Sequence, residues 1–287
     1  MPYADTSDGV RLYFEAFGSG TPIIFLHEFA ADYASWEPQV RHFCGAHRCI
    51  TYSARGFLPS QIPTSEDAYT YERFRDDAIA ILDHQRIEAA HFVGLSMGAY
   101  SSLQVGMQAP SRVISLTLAG LGSGFEPARL NAFRDQCNNH ADAFEKEGPE
   151  AIARIVGMGP GRIPFLTKDT KSFRQFYDAL TKHDATGSAF TMRIFQGRRP
   201  PLGAFEKEIK QIALPTLIIV GDEDDACLES SLYLKKTIQT SGLAMFPKTG
   251  HTLNLEEPWL FNETIERFLV AQQAGSWPPR DPRSRRC

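Results

Sequence analysis

The feature that most constrains this chain is a serine flanked by glycines, at the junction of an apolar strand pattern and a helical pattern. Residues 90–95 predict the strand, and residues 97–108 predict the helix. Ser96 therefore lies on a sharp turn, where the two backbones approach so closely that Gly94 and Gly98 must lack side chains. This context disfavours an ordinary βα turn, because it presents the serine hydroxyl at the positive end of a helix, as a nucleophile requires.

The residues that would activate such a serine follow two later strand patterns. A serine hydroxyl is a weak nucleophile, so catalysis needs a histidine base and a carboxylate that orients it. A buried-strand pattern at 214–221 is followed at once by four acidic residues, 222–225, and a shorter one at 243–247 is followed by His251. Because the carboxyl ends of parallel strands share one edge of a sheet, Ser96, an acid and His251 should meet there.

This order of serine, acid and histidine, with a Gly-His before a Glu-x-Pro-like ending, resembles the α/β-hydrolase superfamily over residues 3–271. The resemblance implies an α/β fold: a mostly parallel eight-stranded sheet with helices on both faces and an inserted helical cap. It also implies a capped serine hydrolase of the esterase, lactonase or carbon–carbon hydrolase type. Its catalytic residues would be Ser96 as nucleophile, His251 as general base and Asp224 as the acid, with Asp225 as the alternative acid.

An acyl-transfer site also needs an oxyanion hole, formed by two donors to the oxygen that becomes negative. The resemblance implies the N–H of Met97 as one donor and the N–H of Phe29 as the other, in the loop after the strand pattern at 22–27. The ring of Phe29 would then form part of the wall of the substrate pocket. The family commonly has His-Gly-x where this chain has His27-Glu28-Phe29. We interpret His27 as a residue that braces this loop.

Glu28 replaces the family's glycine in the same loop, and we place it with Phe29 in the substrate pocket. A carboxylate beside an oxyanion hole would repel the charge that the hole stabilises, so it should either point away or be neutral. In the simpler interpretation it accepts local backbone hydrogen bonds or faces solvent, and Glu28→Gln would cost little activity. In the alternative, the carboxyl has a raised pKa and contacts a donor on the substrate.

The pattern along the chain predicts an α/β-hydrolase core in two segments, 1–123 and 212–273, around a helical cap at 124–211. The cap is predicted because about ninety residues between two buried-strand patterns are too many for one loop. Its aromatic and aliphatic residues should form its own packed face, and those left over should line an apolar pocket above Ser96. Residues 274–287 are rich in proline and arginine and predict a disordered tail.

Three arginines of this cap, Arg154, Arg162 and Arg193, could offer a cation to an acidic substrate, although solvent exposure is the simpler interpretation for each. No metal or organic cofactor is expected, because acyl transfer by an activated serine needs neither. The five cysteines form no Cys-x-x-Cys pair, so they suggest neither a disulfide framework nor a zinc site. The net charge of −4 argues against a nucleic-acid partner. Because the N-terminus is polar and no apolar run has membrane-spanning length, we expect a cytoplasmic protein without a membrane partner. The sequence leaves open whether the chain forms a homo-oligomer.

These features predict a cofactor-independent serine hydrolase that acts on a small, largely apolar carbonyl substrate through an acyl-enzyme on Ser96. The expected substrate is a carboxylic ester or a lactone. One alternative is a carbon–carbon bond hydrolase of a ring-fission-type diketone, which would use the same triad. Another is a cofactor-free oxygenase or a small-molecule receptor on the same fold. Epoxide hydrolases and haloalkane dehalogenases are disfavoured, because both carry an aspartate at the turn where this chain has Ser96.

Overall fold

The structure, a computed structural model, describes residues 2–122 and 127–284. Eight strands in these residues form one sheet. The strands are β1 (Tyr3–Asp5), β2 (Arg11–Phe17), β3 (Pro22–Leu26), β4 (Arg48–Tyr52), β5 (Ala90–Leu95), β6 (Val113–Ala119), β7 (Thr216–Gly221) and β8 (Ser241–Phe246). Their order across the sheet is β1-β2-β4-β3-β5-β6-β7-β8, antiparallel from β1 to β4 and parallel from β4 to β8. The predicted mostly parallel, eight-stranded sheet is confirmed.

Twelve α-helices lie in the same described residues. They are α1 (Glu37–Phe43), α2 (Tyr71–His84), α3 (Met97–Gln108), α4 (Leu130–Glu147), α5 (Pro149–Ile152), α6 (Ile163–Lys168), α7 (Thr170–Leu180), α8 (Ala185–Phe190), α9 (Glu206–Lys210), α10 (Asp225–Thr237), α11 (Leu253–Glu256) and α12 (Pro258–Gln273). Shorter 3₁₀ or π segments are Tyr33–Trp36, Glu66–Tyr69, Pro110–Arg112, Pro127–Arg129, Ala153–Gly157, Pro160–Arg162, Thr191–Gln196, Leu202–Phe205 and Pro282–Ser284. None of the helices described is both long and apolar enough to cross a bilayer.

The sheet is covered by helices on both faces. Successive side chains of a strand point to opposite faces, so β3 sends Ile23 and Phe25 to one face and Ile24 and Leu26 to the other. On the first face these residues join a cluster with apolar side chains of α1 and α12. On the second they join a larger cluster with α2, α3 and α10. Strands buried on both faces explain the continuous apolar runs in the sequence.

Helices α4 to α9 all lie between β6 and β7, where no strand occurs within residues 127–215. We refer to residues 127–210 as the helical insertion. The predicted start of the cap, residue 124, lies outside the described residues. Most aromatic side chains of the insertion are buried, and they join the cluster that also contains α2 and α3: Phe144, Phe165, Phe173, Phe176 and Phe195. The insertion therefore shares a continuous apolar core with one face of the sheet.

The segment for which a disordered tail is predicted, 274–287, contacts the rest of the chain near its beginning. The ring of Trp277 lies 4.7 Å from that of Phe268 on α12. Its indole N–H donates a 2.8 Å hydrogen bond to the carbonyl of Thr240. Partial burial of a large indole with its donor satisfied offsets some of the entropy cost of ordering this part of the tail. Residues 285–287 lie outside the described part of the chain.

Strand register brings the carboxyl ends of the central strands to one edge of the sheet. Leu26 of β3 pairs with Gly94 of β5, and Leu95 pairs with Ala119 of β6. Farther along, Gly221 of β7 is the last residue paired with β8. The loops that follow these strands therefore emerge side by side, as expected of an open parallel sheet.

Candidate active site

Ser96 occupies the sharp turn between β5 and α3 with a backbone φ of 54° and ψ of −109°. A positive φ is a strained conformation for a residue with a side chain. Its N–H donates a 2.8 Å hydrogen bond to the carbonyl of Ala119, which fixes the turn on β6. A Cβ on Gly94 would overlap the carbonyl of Gly98, and a Cβ on Gly98 would overlap that of Leu26. The close approach of the three backbones therefore requires both glycines.

His251 and Asp224 come together from two loops at the same edge. Nδ1 of His251 lies 2.7 Å from Oδ2 of Asp224, and both side chains are largely buried. Burial alone would raise the pKa of the Asp224 carboxyl, but the charge and hydrogen bond of His251 hold it below its ordinary value. An ionised carboxylate only accepts, so Nδ1 carries a proton whether the imidazole is charged or neutral, and in the neutral form Nε2 is left as an acceptor.

The imidazole of His251 lies against the strand end that neighbours Ser96. Gly120 follows β6 with φ +52°, and a Cβ there would lie 3.3 Å from Cε1 and Nδ1 of His251 and 3.3 Å from Leu95. Leu95 precedes Ser96, and Ala119, which precedes Gly120, accepts the N–H of Ser96. The ring of the histidine therefore packs beside the turn that carries the serine. Asp225, the alternative acid, is instead the exposed first residue of α10.

The loop after β3 is braced by His27. The N–H of Ala54 donates a 3.0 Å hydrogen bond to Nε2 of His27, so Nδ1 carries the proton and donates to the carbonyl of Glu28, 2.6 Å away. Burial lowers the pKa of His27, which favours this neutral form. His27 thus fixes the backbone that leads into Phe29.

The two predicted oxyanion donors belong to neighbouring parts of the chain. Met97 is the first residue of α3, whose Gly98 packs against the end of β3, and Phe29 lies three residues beyond that end. The ring of Phe29 is buried and stacks on Phe144 of the helical insertion, with 6.1 Å between centroids. The position of Phe29 is therefore shared between the sheet and the insertion.

Glu28 is buried, and its carboxylate is paired with Arg162. Its Oε1 accepts a 2.7 Å hydrogen bond from Nη1 of Arg162, and its Oε2 accepts from Nη2, so the pair is bidentate. Nη1 of Arg162 also donates to the hydroxyl of Thr252, the residue after His251. Burial alone would raise the pKa of the Glu28 carboxyl, but the charge and hydrogen bonds of Arg162 hold it below its ordinary value. Glu28 is thus an ionised, fully paired carboxylate.

Arg162 corrects one expectation from the sequence, because it is only 6% exposed rather than solvated. Its guanidinium also lies 5.4 Å from the ring centroid of Phe176 on α7. The sequence carries no signal for this role, since Arg162 and Glu28 are 134 positions apart. By contrast, Arg154 is 59% exposed, and Arg193 pairs with Asp142 and Glu145 on α4.

The thiol of Cys227 is a further side chain beside the histidine that the sequence did not single out. Its Sγ donates to the carbonyl of Gly120 at 3.2 Å and lies 3.8 Å from Nδ1 of His251. Asp224, Cys227 and His251 form the one group of three metal-ligand types found in the described residues, with ligand atoms within 4.8 Å. Because Nδ1 and the Asp224 carboxylate already satisfy each other, we interpret this group as an acid–base pair with a packed thiol.

The chain is similar to known proteins over most of its length. A family model described as alpha/beta hydrolase fold matches residues 21–258. The 3-oxoadipate enol-lactonase 1 of Acinetobacter baylyi is 26% identical over 255 residues, which cover 88% of this chain and 89% of that protein. The putative carbamate hydrolase RutD of Azorhizobium caulinodans is 27% identical over 276 residues, which cover 93% and 98%.

Among solved structures, the enol-lactonase from Burkholderia xenovorans superposes with a TM-score of 0.80 at 22% identity, covering 94% of this chain and all of that one. This likeness shows a shared fold. Together with the family match over residues 21–258 and the eight-stranded sheet, it establishes that the chain belongs to the α/β-hydrolase fold family.

Proposed function

We propose that this chain is a cofactor-independent serine hydrolase that acts on a small, largely apolar carboxylic ester or lactone. The observation that carries the proposal is the 2.7 Å hydrogen bond between His251 and Asp224. It belongs to an imidazole that packs beside the strained turn of Ser96. A base oriented by a carboxylate next to a serine at a helix N-terminus is the arrangement that acyl transfer needs.

In the first step of the proposed reaction, Nε2 of His251 accepts the hydroxyl proton of Ser96 while Oγ attacks the carbonyl carbon. The N–H groups of Met97 and Phe29 donate to the oxygen that becomes negative. The bond to the leaving alcohol then breaks, and His251 returns the proton to that alcohol. The product is an acyl-enzyme on Ser96.

In the second step, a water molecule takes the place of the alcohol. Nε2 of His251 accepts its proton as the water oxygen attacks the acyl carbon. The bond to Oγ breaks, and Ser96 recovers the proton from His251. Asp224 remains ionised throughout and stabilises the imidazolium that forms in each step.

The aromatic surroundings of the site support an apolar substrate. Phe29 stacks on Phe144 of the insertion and also contacts the ring of Phe57, 6.0 Å away. Apolar walls with a few polar groups are typical of small-molecule sites. The names of the two sequence relatives, an enol-lactonase and a putative carbamate hydrolase, agree with hydrolysis at a carbonyl. A site covered by helices also favours compact substrates over polymers.

A series of 4-nitrophenyl esters with lengthening acyl chains tests this substrate class. We expect kcat/KM to rise by about fourfold per buried methylene, as the transfer free energy of a methylene implies, and to fall once the chain outgrows the pocket. The measurement is initial-rate kinetics, with a carboxylate-bearing dienone ring-fission product assayed in parallel. A higher kcat/KM for the dienone, with slow turnover of every ester, would contradict the proposal and favour a carbon–carbon hydrolase.

A further inference from the structure

The reactive nitrogen of His251 faces a second carboxylate. Oε2 of Glu28 lies 4.0 Å from Nε2, whereas Asp224 pairs with Nδ1, the other ring nitrogen. The Glu28 side chain is 2% exposed, so little solvent screens its charge. An imidazolium at His251 would therefore lie between two buried carboxylates, one from the loop after β3 and one from the loop after β7.

Arg162 supplies the counter-charge of this second carboxylate. The groups that face His251 in the described residues are Asp224, Glu28, the thiol of Cys227 on α10, and Arg162 through its pair with Glu28. Two carboxylates and one guanidinium leave one net negative charge, which an imidazolium cancels. Without the charge of Glu28, the same surroundings would be neutral and would favour the imidazolium less.

The Glu28–Arg162 pair also connects three loops around His251. Arg162 binds Glu28 in the loop after β3 and Thr252 in the loop after β8 that carries His251. The residue before it, Gly161, accepts a 2.8 Å hydrogen bond from the N–H of His251. A Cβ on Gly161 would lie 3.3 Å from Cβ of His251, so the insertion packs directly on the base.

We propose that Glu28 is a second positioning carboxylate of His251: it offsets the buried positive charge of Arg162 beside the base and so preserves the ability of this histidine to accept a proton. The proposal rests on the hydrolase function proposed above. It resolves the conflict raised by an acid beside an oxyanion hole, because Arg162 compensates the charge that would otherwise repel the oxyanion. It also gives Glu28 a role in catalysis that a solvated or substrate-binding residue would not have.

The test is the acid limb of the pH profile of kcat/KM, which reports the essential base of the free enzyme. Its probe is 4-nitrophenyl butyrate, with the wild type and the variant Glu28→Gln. We expect the midpoint of the acid limb to move to lower pH by about one unit or more, since an opposite charge within roughly 4–6 Å shifts a titration by 1–3 units. The plateau of kcat/KM should also fall, because the histidine becomes a weaker base.

Two further variants keep the test decisive. Glu28→Asp retains the charge but withdraws it from His251, so the midpoint should move in the same direction by a smaller amount. In the double variant Glu28→Gln and Arg162→Met, both charges are gone, and the midpoint should return toward that of the wild type.

The exposed pair Glu37 and Arg41 on α1 provides the matched control: Glu37→Gln, alone or with Arg41→Met, should leave the midpoint unchanged. Thermal unfolding of each variant reports its folding.

A purely structural role for the pair predicts lower stability and a lower plateau, with the midpoint where the wild type has it. That result in Glu28→Gln, or in Glu28→Asp if the glutamine variant does not fold, would overturn the inference. Failure of the proposed function looks different, because the wild type itself would then lack ester turnover or would keep it in Ser96→Ala.

Discussion

Ser96→Ala should lower kcat for ester hydrolysis by about 10⁶-fold, the effect typical of removing a catalytic serine, and leave the fold intact. The side chain loses only its hydroxyl oxygen, so no acyl-enzyme can form. Alanine keeps the Cβ and hence the same strained backbone with φ of 54°, so thermal stability should stay close to that of the wild type. The measurement is kcat on the best ester of the acyl series, with the unfolding temperature measured beside it.

The neighbouring serine on the buried face of α3 provides a control for Ser96→Ala. The hydroxyl of Ser101 donates to the carbonyl of Met97 within the helix, so Ser101→Ala should retain most of the activity. Full activity in Ser96→Ala would exclude the acyl-enzyme mechanism and favour the oxygenase alternative, in which His251 acts without a nucleophilic serine.

Asp224→Asn should reduce kcat by about 10⁴-fold, because an amide no longer holds the tautomer of His251 in which Nε2 accepts a proton. The substitution preserves shape and replaces only the charge of a carboxylate that lies 2.7 Å from Nδ1. Asp225→Asn is the matched control. Asp225 is exposed at the start of α10, so its loss should change kcat little.

The two aspartate variants also decide which acid the triad uses. Steady-state kinetics that showed a severe loss in Asp225→Asn and a mild one in Asp224→Asn would place the acid one residue later. Equal and small losses in both would mean that His251 needs no orienting carboxylate, and this would contradict the proposed mechanism.

Much of the fold could be predicted because its strongest signals are local. The apolar run at 90–95 and the helical pattern at 97–108 have the bounds predicted from the sequence. The strand pattern at 214–221 begins two residues later, at Thr216, because Pro215 has no N–H to donate to a neighbouring strand.

That the loops carrying Ser96, Asp224 and His251 meet at one edge of the sheet could be inferred from topology alone, since each follows a strand of one parallel sheet. The partner of Glu28 could not. Arg162 lies on a turn of the helical insertion, and only three-dimensional packing brings it to Glu28 in the loop after β3. The contacts of Trp277 with Thr240 and Phe268 could not be predicted either, because the proline- and arginine-rich composition around this residue is typical of disorder.

The central claim is that Ser96 is a nucleophile activated by His251, and an alkyl fluorophosphonate tests it most directly. Such a probe forms a stable adduct with a serine only where a neighbouring base and an oxyanion hole activate the hydroxyl. Peptide mapping by mass spectrometry should find one adduct per chain, on the peptide that contains Ser96, with activity lost in proportion to labelling. His251→Ala should abolish this labelling. Ester hydrolysis that persists after complete labelling of Ser96, or inactivation with the adduct on another residue, would contradict the account.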